Sequence, residues 1–196
     1  MTMDCAGCAE FGLSLIAGLN ACNAGRNTGV LRFAQDDVSW LSVQENALKE
    51  FNREKRFKTR SVGGTLAIAE TIAEMLPAPR VVVLRGELGA GKTTLVKGWI
   101  SALGGAAVEE VTSPTFTLVH TYEGRRGRIY HLDLYRLETE RELLTIGLDE
   151  MMSEAGSLLL IEWGDKFVSV LERADAEVNL QALEADERSL LVRWRE

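Results

Sequence analysis

The apolar positions of this chain switch period around one short stretch. Val81–Leu84 is an unbroken aliphatic run, the pattern of a strand buried on both faces. Beyond it Leu95, Val96, Trp99, Ile100 and Leu103 recur at helical spacing. Upstream, Leu66, Ala69, Ile72, Ala73 and Leu76 form another helical stripe, with Ser61 as its candidate N-cap and Pro77 as its stop. Downstream the alternation predicts strands at 108–111 and 115–122, the latter joined by a turn to a hairpin partner at 128–134. Residues 137–144 predict a short charged helix with Leu143 and Leu144 turned inward, and 146–152 begin another. Ser157–Glu162 is a second continuous apolar run and ends on a carboxylate. Residues 167–171 read as helical, and 178–183 with 189–194 as a closing hairpin. Helices interleaved with buried strands predict an α/β fold, a three-layer sandwich. Its central sheet is expected to be mixed and mainly parallel, with a C-terminal β-hairpin.

Between the first buried run and its helix lies Gly86-Glu87-Leu88-Gly89-Ala90-Gly91-Lys92-Thr93, followed by Thr94. It fits the phosphate-loop pattern G-x-x-x-x-G-K-[ST], in the strand-then-helix context that pattern requires. Glycines let successive backbone N–H groups turn inward without a Cβ in the way, and a helix N-terminus adds partial positive charge where an anion sits. Lys92 is placed to reach the β- and γ-phosphates, and the Thr93 hydroxyl to sit on Mg²⁺. The fold expected is therefore P-loop NTPase-like, with residues 86–94 as the nucleotide-binding loop.

Hydrolysis needs more than the loop: an acidic partner for magnesium and a group that positions water. Glu162, at the end of the second buried run, is assigned to magnesium, directly or through water. Asp133 shares a strand face with His131 at i, i+2, so both can project toward one site. Asp133 is assigned to the attacking water or to the surroundings of the metal, and His131 to a hydrogen bond with Asp133 or a phosphate. Ser113-Pro114-Thr115 places two hydroxyls around a rigid proline, a segment able to close on a γ-phosphate as a switch does. Trp163 is a wall of the site or part of the core. Ordinary alternatives exist for the others: solvated strand ends, a plain turn, a structural histidine.

Composition narrows the partners. A net charge of −7 over 196 residues argues against a protein that grips nucleic acid alone, so contact with RNA is expected only through a partner. No apolar run approaches the ~20 residues of a membrane helix. Cys5, Cys8 and Cys22 all precede the predicted core, which suits a reducing cytoplasm. Cys5-x-x-Cys8 supplies two ligands where zinc wants four, and the two histidines, His120 and His131, lie far along the chain. Residues 1–57 lack a core-forming pattern and read as a poorly ordered extension, or as sequence upstream of the true start, with a basic stretch at 53–60. The predicted P-loop domain is 58–196.

Five ordered blocks carry a resemblance: Gly86–Thr94, Ser113–Val119, Tyr130–Leu137, Ile146–Glu150 and Leu158–Asp165. Together they closely resemble the TsaE family, small bacterial ATPases of the system that makes threonylcarbamoyladenosine in tRNA. The resemblance covers about residue 58 to the end. It implies ATP and Mg²⁺ as cofactors, slow ATPase activity, and work in a complex with TsaD and TsaB. TsaD transfers the threonylcarbamoyl group to the adenosine beside the anticodon, and hydrolysis by TsaE resets the complex. Carried over by motif, Lys92 and residues 86–93 bind ATP, Thr93 and Glu162 are the magnesium residues, Asp133 is the catalytic or switch carboxylate, Thr115 belongs to the switch, and Trp163 follows the metal glutamate. Looser similarity places Ser61, Val62 and Arg188 near the adenine. The N-terminal extension departs from the family pattern. Two other readings stay open on the residues alone: a small-molecule kinase with the same loop, and a nucleotide-dependent scaffold that needs no turnover.

Overall fold

The computed structural model describes residues 51–78, 80–184 and 186–196. The readings of residues 1–50, including the three cysteines, lie outside the described residues. Among the described residues seven strands form one sheet: β1 (Arg53–Thr59), β2 (Arg80–Arg85), β3 (Val119–Gly124), β4 (Gly127–Asp133), β5 (Leu158–Glu162), β6 (Ala176–Ala182) and β7 (Arg188–Trp194). The helices are α1 (Val62–Met75), α2 (Lys92–Ala102), α3 (Glu140–Leu143), α4 (Leu148–Ser153) and α5 (Val168–Arg173). Across the sheet the strands run β1-β7-β6-β2-β5-β4-β3.

The sheet is mixed, as its sequence pattern predicted. Strands β6, β2, β5 and β4 are parallel neighbours, while β1–β7, β7–β6 and β4–β3 are antiparallel. The parallel pairings are thus confined to the centre, where helices cover both faces, and are half of the six rather than most. Alternate residues of β2 face opposite layers. Val82 and Leu84 join Leu95, Val96, Trp99 and Ile100 of α2 and Ala69, Ile72 and Ala73 of α1. Val81 and Val83 join Leu143, Leu148, Val170 and Leu171 of α3, α4 and α5. Each large aliphatic or aromatic side chain so buried contributes roughly 1.5–3 kcal/mol. Three layers result. Ser61 caps α1, its Oγ accepting from the Gly64 N–H at 3.0 Å.

Several expectations are corrected. Strand β1 crosses the boundary placed at residue 57 and pairs with β7 over seven residues, so the folded domain includes Arg53–Phe57. The basic residues of this edge strand face solvent and only Phe57 and Thr59 turn inward, which muted the alternation. Residues 108–110 form a turn rather than a strand, and the buried Val111 that follows belongs to no strand. The strand expected from 115 begins at Val119, because Thr115–Leu118 is a turn closed by the Leu118 N–H on the Pro114 carbonyl at 2.6 Å. Leu144 is 75% exposed rather than turned inward, since α3 ends at Leu143 and the chain tightens into a 3₁₀ turn.

A buried ion cluster ties β2, β6 and β7 at the root of the glycine loop. Glu177 meets Arg85 Nε at 3.2 Å and Arg193 Nη1 at 3.3 Å. Burial pushes the Glu177 carboxyl above its ordinary value of 4.5, with the two arginines pulling the other way. The folded state therefore keeps a proton that the unfolded chain has lost just above pH 4.5, and this contribution to stability fades as pH rises through the raised value. Urea unfolding at a series of pH values should show that decline, and Glu177→Gln should flatten it. An equal slope in both proteins contradicts the assignment.

Candidate active site

The loop between β2 and α2 takes its shape from backbone conformations that side chains resist. Gly86 has φ +139°, and a Cβ there would lie 2.4 Å from the Leu180 carbonyl oxygen. Gly91 has φ +103° and is the N-cap of α2, so the chain turns into the helix with its first N–H groups facing the loop. This is an anion cradle at a helix N-terminus. Lys92, the first residue of α2, is buried and donates from Nζ to the carbonyls of Gly86 at 2.7 Å and Glu87 at 3.0 Å. Its Nζ also lies 4.0 Å from the centre of the Trp163 ring. Burial lowers its pKa, and the carboxylates of Glu162, Asp133 and Asp165 act against that shift.

Parallel pairing of β4 with β5 brings the two expected carboxylates level, since Asp133 is the register partner of Glu162. Both are buried at the C-terminal ends of their strands. The Thr93 hydroxyl lies 2.9 Å and 3.1 Å from the two Glu162 oxygens. His131 lies below them with Nε2 2.8 Å from Glu162 Oε1, so it partners Glu162 and not Asp133 or the cleft. Its side chain is too deep in the sheet to meet a phosphate, being fully buried. Asp133 Oδ2 instead accepts from the hydroxyls of Ser113, at 3.1 Å, and Thr115, at 2.5 Å, while its Oδ1 accepts from the Tyr135 N–H at 3.1 Å. The Ser113–Thr115 loop is thus latched to the strand end by two hydroxyl groups.

These groups enclose a cleft of about 360 Å³ lined by Leu88, Gly89, Gly91, Lys92, Thr93, Thr94, Ser113, Thr115, Asp133, Tyr135, Glu162 and Trp163. Gly86 and Glu87 face a second hollow on the far side of the loop, and Ala90 is buried beneath it. Ser61, Val62 and Arg188 lie outside the cleft lining. Thr59, two residues before Ser61, pairs with Arg188 across β1 and β7, and the Arg188 side chain lies 3.5 Å from where a Gly91 Cβ would be. They share the loop's β1–β7 flank. Among the described residues no cluster of three His, Cys, Asp or Glu side chains is arranged as a metal site. A divalent cation fits here with one hydroxyl, one carboxylate and phosphate oxygens, the donor set of a nucleotide-bound magnesium.

Two non-glycine residues hold left-handed backbone at this site, Trp163 at φ 61° and Leu118 at φ 65°. Such conformations cost of order 1–3 kcal/mol and persist where surroundings over-determine them. At Trp163 the twist directly follows Glu162 and lays the indole over Lys92, so Trp163 is a wall of the cleft. Tyr135 is a lining residue that the sequence reading passed over. It stands two positions after Asp133 and its ring centre is 5.1 Å from that of Trp163. Lys166 secures that segment by donating to the Tyr135 carbonyl at 2.8 Å and to the Leu137 carbonyl.

A parallel-centred α/β sheet, with a glycine loop and lysine at one strand end and an acidic residue at the next, defines a P-loop nucleotide-binding protein. The family model for "Threonylcarbamoyl adenosine biosynthesis protein TsaE" matches residues 59–190. Over 137 residues the chain is 39% identical to the tRNA threonylcarbamoyladenosine biosynthesis protein TsaE of Treponema pallidum, spanning 70% of this chain and 98% of that one. It is 36% identical over 138 residues to the protein of the same name from Bacillus subtilis, spanning 69% and 84%. The crystal structure of Bacillus subtilis YdiB superposes with a TM-score of 0.56 at 28% identity, covering 72% of this chain and 86% of that one. The chain belongs to the TsaE family.

Proposed function

We propose that this chain is the magnesium-dependent ATPase of a tRNA threonylcarbamoyladenosine-forming system. In this reading it acts in the cytoplasm with TsaD and TsaB, meets tRNA only through them, and hydrolyses ATP to reset the complex between turnovers. The single observation that carries the reading is the Thr93 hydroxyl on the Glu162 carboxylate, level with Asp133 on the neighbouring strand, in a cleft that the glycine loop also lines. ATP with Mg²⁺ supplies the transferable γ-phosphoryl group and neutralises its developing charge. The loop N–H groups and Lys92 hold the phosphates in line. Thr93 and Glu162 hold the cation side of the cleft. Asp133 orients the attacking water, and the Ser113 and Thr115 hydroxyls, bonded to Asp133, couple the loop to the state of the γ-phosphate. Ser61, Val62 and Arg188 hold the adenine on the β1–β7 flank.

Phosphate release in the presence of TsaD and TsaB, with no other acceptor, tests this reading. Thr93→Ala and Glu162→Ala should each raise the barrier by ~2.7–4 kcal/mol, the typical cost of one preorganised charge-stabilising contact. Wild-type turnover in either variant refutes the site. ADP formation that requires a small-molecule acceptor, with the phosphoryl group recovered on that acceptor and no inorganic phosphate released, refutes the ATPase in favour of a kinase.

A further inference from the structure

The buried histidine under the cleft has no role in the chemistry so far, yet it touches the residue on which the metal side depends. We propose that His131 is the positioning residue for Glu162, setting which carboxylate oxygen faces the cation; this rests on the magnesium-dependent reading above. A carboxylate only accepts, so His131 Nε2 carries the hydrogen and donates it to Oε1 at 2.8 Å. Oε1 also accepts from Thr93 at 2.9 Å, whereas among the described residues Oε2 takes only the longer Thr93 contact at 3.1 Å. One oxygen is committed to two protein donors. The other keeps its acceptor capacity for a cation or a water bound to it.

The placement of the ring supports this assignment. His131 Nδ1 is buried without a hydrogen-bond partner, which a ring with its hydrogen on Nε2 tolerates as a lone pair rather than a stranded N–H. His131 comes from β4 and Glu162 from β5. In register His131 sits beside Leu160, two residues deeper than Glu162, so the ring reaches diagonally upward and props the carboxylate from below. Thr93 can then turn its oxygen lone pairs to the metal while Glu162 stays aimed, because its second anchor is on a rigid central strand. Partners that orient metal-ligating groups in this way typically change metal affinity by about 10–100-fold when removed.

The test is a fluorescent ADP analogue titrated onto the full chain, once in EDTA and once across a magnesium series. His131→Leu removes the donor at similar volume and should leave the EDTA affinity unchanged while weakening apparent magnesium affinity about 10–100-fold. His131→Gln, whose amide N–H reaches the Nε2 position, should restore the wild-type magnesium response. A Leu variant with a wild-type magnesium response overturns the proposal, as does one that loses nucleotide affinity equally in EDTA and in magnesium. Should the Leu variant fail to fold, His131→Asn replaces it. Its shorter amide should lose the magnesium response that Gln keeps, and equal responses in Gln, Asn and wild type overturn the role. A wild type indifferent to magnesium overturns the metal site itself, and His131's role with it; a responsive wild type matched by His131→Leu overturns His131 alone.

Discussion

Lys92→Ala is expected to lower magnesium-dependent ATP hydrolysis by about 10²–10³-fold, the usual loss when one preorganised donor is removed from a charge-stabilising site. Lys92 is the cation of the cleft, and three carboxylates, those of Glu162, Asp133 and Asp165, act on it electrostatically. Without it, a polyanionic phosphate chain would face those carboxylates across a largely buried site, where charges are screened little. The same substitution strips the Gly86 and Glu87 carbonyls of their donor and Trp163 of the cation over its ring. Nucleotide affinity should therefore fall together with turnover. Phosphate release and calorimetric titration of the variant check both, and wild-type values in either contradict the assignment.

Asp133→Asn is expected to separate those two properties. The carboxylate lies across the cleft from the glycine loop and holds the Ser113 and Thr115 hydroxyls and the Tyr135 N–H. An amide keeps the shape but loses half of its acceptor capacity and cannot take up a proton from water. Turnover should fall about 10²–10⁴-fold, the usual contribution of a positioned base, while ATP affinity stays near wild type. Calorimetry beside phosphate release decides between outcomes. Parallel loss of binding would make Asp133 a phosphate-site residue, and unchanged turnover would remove it from the chemistry. The contrast with Lys92→Ala also bears on the scaffold alternative: if Asp133→Asn binds ATP normally yet fails to support tRNA modification, nucleotide occupancy alone is insufficient.

Much of this site was readable from residue order because its parts lie at ends of apolar runs. Glu162 closes Leu158–Ile161 and the glycine loop opens at the end of Val81–Leu84, so parallel pairing of β2 with β5 brings Leu84 level with Glu162. Placing Asp133 and His131 on one strand face was also sound, as i, i+2 spacing requires. What residue order did not carry was the reach of each side chain. His131 turns to Glu162 across strands, and such a diagonal contact depends on register between β4 and β5, 31 residues apart. Thr115–Leu118 has the composition of a strand, but two hydroxyl bonds to Asp133 and a left-handed Leu118 turn it into a loop. Phe116 shows the consequence: an aromatic residue in an apparent strand is 85% exposed, with Arg136 over its ring at 4.8 Å. Strand β1 was obscured for the opposite reason. Its charges mark an edge, and an edge strand with one thin inward face has little hydrophobic signal to read.

The most direct measurement is threonylcarbamoylation of tRNA by purified TsaD and TsaB supplied with threonylcarbamoyl donor, with and without this chain and ATP. Sustained modification over many turnovers only when both are present, lost on substitution of Lys92 by alanine, is the expected result. Equal, sustained modification without the chain, or with the alanine variant, would contradict the proposed role.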